Sequence, residues 1–533
     1  MQMKKGMSLI VLVITVLVMI ILAGVVVVSL SANNPIDKAK EARFKTDISN
    51  FKTEINTTML SHLTEDRLLA KKDINASKAG MKEYIPSMGD EYYNKIEIIN
   101  GELVFVGESE QEKKWGKALG LGSNVKGGVP QLVPGLSPIK WDYANKEEST
   151  SEKDVKWYDY EDKRWANAKT TNGSYYVWIP RFAYRIKYYR GQMDMLKDDE
   201  NGIIGYSDNR GLVDKSGNLK PNLSKEYGKV DIVILGTGSA NLYKFLEGGK
   251  YVGDVRKSGG VDNPNSYIVH PAFSPVRRKD HDGNARDNYG SDRELTGFWM
   301  AKFEMSGGYK SVPGNSSERN ISISEAFKKG KAVADKEKIT GADSMNMTST
   351  QFGAVMYLTN AIGKEPTANR NTSFQTGGGD IDAFKTNQKQ STTSNITGVY
   401  DINGCSAEYV SAYISNGNSS LKDNCDELQK NSSTRCVDVY SSSEADTDIE
   451  NYKINAHKYG DAIYETSTSV NGKYTWGIDG MRYGKAYYPA KNNVAFYRSN
   501  SNVAQNKNDL YSFRQSEGQS MSDISWRCVL ATK

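Results

Sequence analysis

The chain has 533 residues, more than one hydrophobic core usually supports, so two or more folded units are expected. Its 69 Lys and Arg against 64 Asp and Glu leave a net charge of only +5, which excludes the large basic field of a nucleic-acid binder and an acidic solvating tail. A mean hydropathy of −0.60 excludes a multi-span membrane protein but leaves room for one span.

That span is legible at once. Leu9 to Leu30 contains no charge and no proline, and at about 1.5 Å per residue such a helix matches a hydrocarbon core about 30 Å thick. Lys4 and Lys5 precede it, so the positive-inside rule keeps the amino terminus in the cytoplasm and places the bulk of the chain outside the cell, as a single-pass membrane protein. A plain signal anchor satisfies the same pattern, whereas a cleaved signal peptide needs a shorter apolar core and a small-residue cleavage site.

Beyond Asn33-Asn34-Pro35, the steps of three and four from Phe44 through Ile48, Phe51 and Ile55 to Met59 predict a half-buried helix running to about residue 63. Alternation on both sides of Asn100-Gly101, from Lys95 to Val106, predicts a β-hairpin. These elements make a first unit with a small β head over 64–122, and the Gly- and Pro-rich stretch 123–140 is expected to be a linker.

The remainder, 141–533, reads as a large α+β domain. Strands are predicted in Ser174 to Ile186 with a break at Pro180, in Asp231 to Leu235 and in Gly297 to Glu304. Helices are predicted over Ser324 to Asp335 and over Ser349 to Thr359, the second capped by Ser349. Tyr143 to Lys156, Asn369 to Asn395 and Ser415 to Glu450 are expected to be loops. Gly236-Thr-Gly238 lacks the third glycine and the βαβ setting of a dinucleotide site, and Asp280 to Asp287 departs from the spacing of a calcium loop. His62, His270, His281 and His457 show no metal-ligand spacing, so no metal and no cofactor are expected.

Lys4-Lys-Gly-Met-Ser-Leu-Ile10 resembles the leader and cleavage junction of type IV pilin-like proteins. The resemblance implies a leader over 1–6 cut after Gly6, Met7 as the new amino terminus, and a membrane-spanning and amphipathic helix over 7–63. It also implies a prepilin peptidase and pilin-like subunits as partners. Where that family usually has Glu, at the fifth mature position, this chain has Val11, so subunit registration into a long fibre lacks its usual group.

A second resemblance runs through Leu295 to Ser306, Ser349 to Leu358, Gly398 to Val410 and Ser525 to Leu530, which look like the ordered landmarks of the formylglycine-generating, sulfatase-modifying family. The resemblance implies a C-type-lectin-like fold of two helices, irregular antiparallel sheet and long loops. Catalysis in that family needs a close Cys pair before the last strand, and Ala495 to Val503 has none. A non-catalytic protein is therefore expected, with a copper oxidase as the remote alternative. In the Gly404-Cys-Ser-Ala-Glu-Tyr409 segment the Glu of the family motif is retained at Glu408, but Cys405 replaces Asn, which weakens a carried-over calcium site.

The same fold serves the variable proteins of diversity-generating retroelements, whose last segment is a ligand-binding surface. Asn492 to Ser525 has the corresponding composition, and the resemblance implies binding by Asn492, Asn493, Tyr497, Arg498, Asn500, Asn502, Asn506, Asn508 and Tyr511. Tyr supplies rigid contact area and Asn adaptable hydrogen bonds, suited to an extracellular protein or glycan. A structural subunit of a pilus or secretion apparatus is the alternative. An oxidising exterior would allow Cys425–Cys436 and Cys405–Cys528 disulfides, with four buried thiols as the other possibility.

Overall fold

A computed structural model describes residues 35–65, most of 76–121 and most of 128–533. Outside the description lie 1–34, 66–75, 122–127, 187–202, 208–210, 215–229, 236–243, 248–249, 255–267, 280–284, 364–373, 470–473, 476–486, 500–510 and several single positions. The apolar run Leu9 to Leu30 and the junction at Gly6 and Met7 are therefore outside it. Among the described residues no helix is long and apolar enough to cross a membrane. The chain divides into two compact units, Met1–Val125 and Lys126–Lys533, and the fold is α+β.

In the first unit the helix Pro35–Glu65 carries the predicted apolar stripe. Pro35 begins it, where a missing N–H costs no intrahelical bond. Phe44, Ile48, Phe51 and Ile55 are all buried, against Met81, Ile85, Tyr92, Ile96, Ile98, Leu103 and Phe105. The hairpin forms as expected, with Ile96–Ile99 antiparallel to Glu102–Phe105. Phe51 meets Tyr92 edge-on at 5.1 Å between ring centroids, and the Tyr92 hydroxyl donates to Asp47 at 2.6 Å. Each such side chain contributes roughly 1.5–3 kcal/mol by leaving water.

The second unit is built on a seven-stranded antiparallel sheet. Its order is Ala342–Asn346, Cys528–Thr532, Gly297–Ala301, Tyr175–Pro180, Asn167–Thr170, Leu136–Trp141 and Glu147–Ser149. The carboxy-terminal strand thus lies between strands from the middle of the chain. The expected break at Pro180 is real: Arg181 separates Tyr175–Pro180 from Phe182–Ile186, which joins a different sheet with Val230–Ile234 and Ile268–Val269.

Two expectations are corrected. Of the stretch 123–140, residues from Lys126 onward belong to the second unit, because Leu136–Trp141 is a sheet strand with Leu136 and Ile139 buried. Gly135, at φ +101°, turns the chain into that strand, and a Cβ there would lie 2.7 Å from the Lys338 carbonyl oxygen. The segments expected as loops also hold structure. Glu147–Ser149 is an edge strand, and Ser415 to Glu450 includes the strand Asp438–Ser441 and short helices. The second of these segments is polar because its strand lies at a sheet edge and its helices are only one or two turns long.

Both predicted helices are present and capped. Ile323–Lys336 follows a capping box between Ser322 and Glu325, and Ser349–Ile362 follows one between Thr348 and Gln351, so the second cap is one residue earlier than expected. The five-stranded sheet runs Asp438–Ser441, Ala407–Ser415, Ala495–Arg498, Phe513–Ser516, with Ile524–Ser525 also paired to Ala407–Ser415.

Buried charge joins the two sheets. Arg527 donates from Nε to Glu408 at 2.8 Å, from Nη1 to the Ala301 carbonyl at 3.0 Å and from Nη2 to the Tyr400 carbonyl at 3.0 Å. Glu304 accepts from the Ser406 N–H and from the Ser525 hydroxyl, each at 2.9 Å. Arg527, Glu408 and Glu304 are fully buried, and burial together with the neighbouring carboxylate raises the pKa of Glu304.

Two tests follow from this packing. Phe51→Ala should destabilise the first unit by about 3–5 kcal/mol in a urea titration. Arg527→Ala should destabilise the second by a similar ~3–5 kcal/mol, because it strands Glu408 unpaired, and Arg527→Ala with Glu408→Gln should recover part of that loss.

Candidate ligand-binding face

In the Ala495–Arg498 strand successive side chains point to opposite faces of the five-stranded sheet. Tyr497 is half-buried and lies opposite Tyr409 on one side and Arg514 on the other. Its ring meets Tyr409 edge-on at 6.4 Å, and the buried Tyr409 is itself fixed by a bond from its hydroxyl to the Gln519 carbonyl at 2.6 Å. Burial raises the pKa of the Tyr497 hydroxyl, the Arg514 guanidinium opposes that rise, and Asp523 and Tyr487 add to it. Tyr487, Tyr497, Arg514 and Asp523, all partly exposed, therefore form one polar and aromatic surface group.

Arg498 and Tyr511, expected on the binding surface, are instead fully buried. Arg498 faces the opposite way from Tyr497, its guanidinium 4.3 Å from the Phe352 ring centroid and donating to the carbonyls of Asp461 at 3.2 Å and Ala462 at 2.7 Å. The Tyr511 hydroxyl accepts from Asn360 Nδ2 at 3.2 Å. Strand alternation removes Arg498 from solvent, and helix Ser349–Ile362 supplies the partner that draws Tyr511 inward.

Asn492 is exposed and Asn493 partly so, at a tight turn closed by reciprocal bonds between Ala490 and Asn493. Asn492 Oδ1 accepts from Asn418 Nδ2 at 3.1 Å, which links the turn to the loop after Ala407–Ser415. Asn500, Asn502, Asn506 and Asn508 lie outside the described residues. Sequence reasoning overlooked Arg514, Tyr487 and Asp523. The alternation in Phe513-Arg514-Gln515-Ser516 was a usable signal for Arg514, but its position opposite Tyr497 is set by strand register.

The cysteine pairings are also corrected. Cys405, Cys425, Cys436 and Cys528 are free and buried. Cys405 sits at φ 60° among Glu304, Asp401, Glu408 and Arg527, whereas Cys528 lies in its strand beside Tyr176, so the two occupy separate surroundings. Burial pushes the thiols of Cys425 and Cys528 up to about 12, and burial plus carboxylates raise Cys405, so none of these three is a thiolate at neutral pH. His270 is buried too, its Nδ1 accepting from the Ala272 N–H at 3.2 Å, and burial lowers its pKa to about 3. Glu408 is committed to Arg527, and among the described residues no group of three or more His, Cys, Asp or Glu could hold a metal ion.

Behind the face lies a buried cluster of tyrosines and carboxylates. Glu465 accepts from the hydroxyls of Tyr184 and Tyr357, each at 2.8 Å, and from the Gly460 N–H at 2.6 Å. Asp461 accepts from the Tyr440 hydroxyl at 2.9 Å and from the Ile463 N–H at 3.0 Å. Burial, only partly offset by these bonds, raises Glu465 to about 7 and Asp461 to about 6. No family model matches this chain, and no curated protein matches it.

The carboxylate shifts set a pH dependence. The folded state keeps protons on Glu465 and Asp461 at pH values where the unfolded chain has released them. Their contribution is fully present below about pH 4, and it is lost as pH rises through about 6 and 7. Each group should lower stability by at most about 1.4 kcal/mol per pH unit within its window. Urea midpoints between pH 4 and 8 should fall accordingly, and Glu465→Gln should flatten the decline above about pH 5. An unchanged slope in that variant would contradict the assignment.

Proposed function

We propose that this chain is a membrane-anchored, surface-displayed protein in which a pilin-like amino-terminal segment presents a non-catalytic, lectin-fold binding module to an extracellular protein or glycan. The observation that carries the reading is the cross-strand pair Tyr497–Arg514, an aromatic and a guanidinium group partly exposed on one face of a sheet, flanked by the buried Tyr409 and with the other face locked into the core. Such a face loses little conformational entropy on binding, because Tyr409 on the adjacent strand already packs against the Tyr497 ring.

The sequence supports the placement: the charge-free run Leu9 to Leu30 follows a basic leader. The composition of Asn492 to Ser525 supports likeness to the variable proteins of diversity-generating retroelements. The modest net charge gives no reason to invoke nucleic acid. A second reading, a structural subunit of a pilus or secretion apparatus, is favoured by the separate core of the first unit, formed by its helix and hairpin.

Binding to glycan and protein arrays by the detergent-solubilised full-length chain separates the two. A recognition module selects a ligand, and Tyr497→Ala or Arg514→Ala should each weaken capture about tenfold while the chain still unfolds cooperatively in urea. Undiminished capture by both variants would take the face out of the site. Failure of the unaltered chain to select any ligand would favour the structural subunit.

A further inference from the structure

Lys302 follows the interior strand Gly297–Ala301 and is fully buried. Its backbone is fixed on both sides, the N–H donating to the Tyr175 carbonyl at 2.9 Å and its carbonyl accepting from the Tyr400 N–H at 2.8 Å. Its Nζ lies 2.6 Å from Asn167 Oδ1 and 3.1 Å from the Gly398 carbonyl oxygen, and it also meets the Ile396 carbonyl. The rings of Trp141 and Tyr400 stand 5.6 and 5.5 Å away.

Asn167, also buried, is held as firmly. Its Nδ2 donates to the carbonyls of Trp165 at 2.9 Å and Thr397 at 2.8 Å, and its backbone carbonyl accepts from the Trp157 indole at 2.8 Å. A lysine ammonium here would be a buried charge without a contacting carboxylate among the described residues. Glu147 acts on it only at a distance and is itself bonded to Lys169 and the Tyr175 hydroxyl. Burial accordingly lowers the pKa of Lys302. A neutral amine gives its two hydrogens to two of the three oxygens it meets, Asn167 Oδ1 among them, and keeps one lone pair, the form in which lysine is a nucleophile.

We propose that Lys302 and Asn167 become joined by an intramolecular amide bond, with the lysine Nζ attacking Asn167 Cγ. The Nζ–Cγ bond forms and the Cγ–Nδ2 bond breaks. One hydrogen of the amine leaves with the amide nitrogen as ammonia, and nothing is oxidised or reduced, so no co-reactant is needed. Two groups clamped side by side out of water replace the encounter that makes such aminolysis slow in solution. The link would close the segment 168–301, which carries the three-stranded sheet, independently of its packing.

Peptide mapping and denaturing mass spectrometry of the full-length chain, fresh and after prolonged incubation at neutral pH, test this. The expected result is a branched peptide joining Asn167 to Lys302, one ammonia lighter than its two parts, absent from Lys302→Arg and Asn167→Ala. Finding both residues only in separate, unmodified peptides overturns the proposal. An ammonia loss confined to the Asn167 peptide marks a succinimide and overturns it equally.

Discussion

The second unit depends on one buried arrangement of charge. Arg527 reaches from the end of the chain to the carbonyl of Ala301 in the seven-stranded sheet, to that of Tyr400 in a connecting turn and to the carboxylate of Glu408 in the five-stranded sheet. Glu304 completes it through Ser406 and Ser525, on either side of the junction between Ile524–Ser525 and Ala407–Ser415. An ion this far from water is costly to leave unpaired, so the Arg527–Glu408 pair favours one mutual arrangement of the sheets over its alternatives. It also fits the interior place of the last strand, Cys528–Thr532, between Ala342–Asn346 and Gly297–Ala301: the residue before it holds the clamp.

Around that clamp the two sides of the five-stranded sheet differ in burial. The inward side of the five-stranded sheet is occupied by Arg498 on Phe352, and the neighbouring interior by the hydroxyl–carboxylate bonds of Tyr184, Tyr357 and Tyr440 with Glu465 and Asp461. The outward side retains Tyr497, Arg514, Tyr487 and Asp523 at partial exposure. A buried tyrosine here brings a large apolar area and one hydroxyl that finds a carboxylate, so the abundance of tyrosine serves the core as well as the surface.

Legibility followed the range of the forces involved. The stripe Phe44, Ile48, Phe51, Ile55 and the hairpin around Asn100-Gly101 were readable because helix period and turn chemistry are local, and helices Ile323–Lys336 and Ser349–Ile362 were readable from their caps and spacing. The strand Leu136–Trp141 was not, because Gly and Pro around it look like a linker until Asn167–Thr170 is seen to pair with it. In the candidate site Tyr497 was singled out by the composition of its segment, but composition treats Arg498 and Tyr511 alike and cannot tell which side of a strand faces helix Ser349–Ile362.

By itself the sequence determined a charge-free apolar segment behind Lys4 and Lys5, two units of unequal size, the positions of the main helices and an Asn-, Ser- and Tyr-rich end. Each of these is a property of neighbours along the chain. Only the tertiary structure decided that the four cysteines are free, buried thiols, that Glu408 answers Arg527, that Lys302 meets Asn167 and that Arg514 stands beside Tyr497. Those pairings join residues from 17 to 135 positions apart, and strand register and burial, which no local pattern encodes, bring them together.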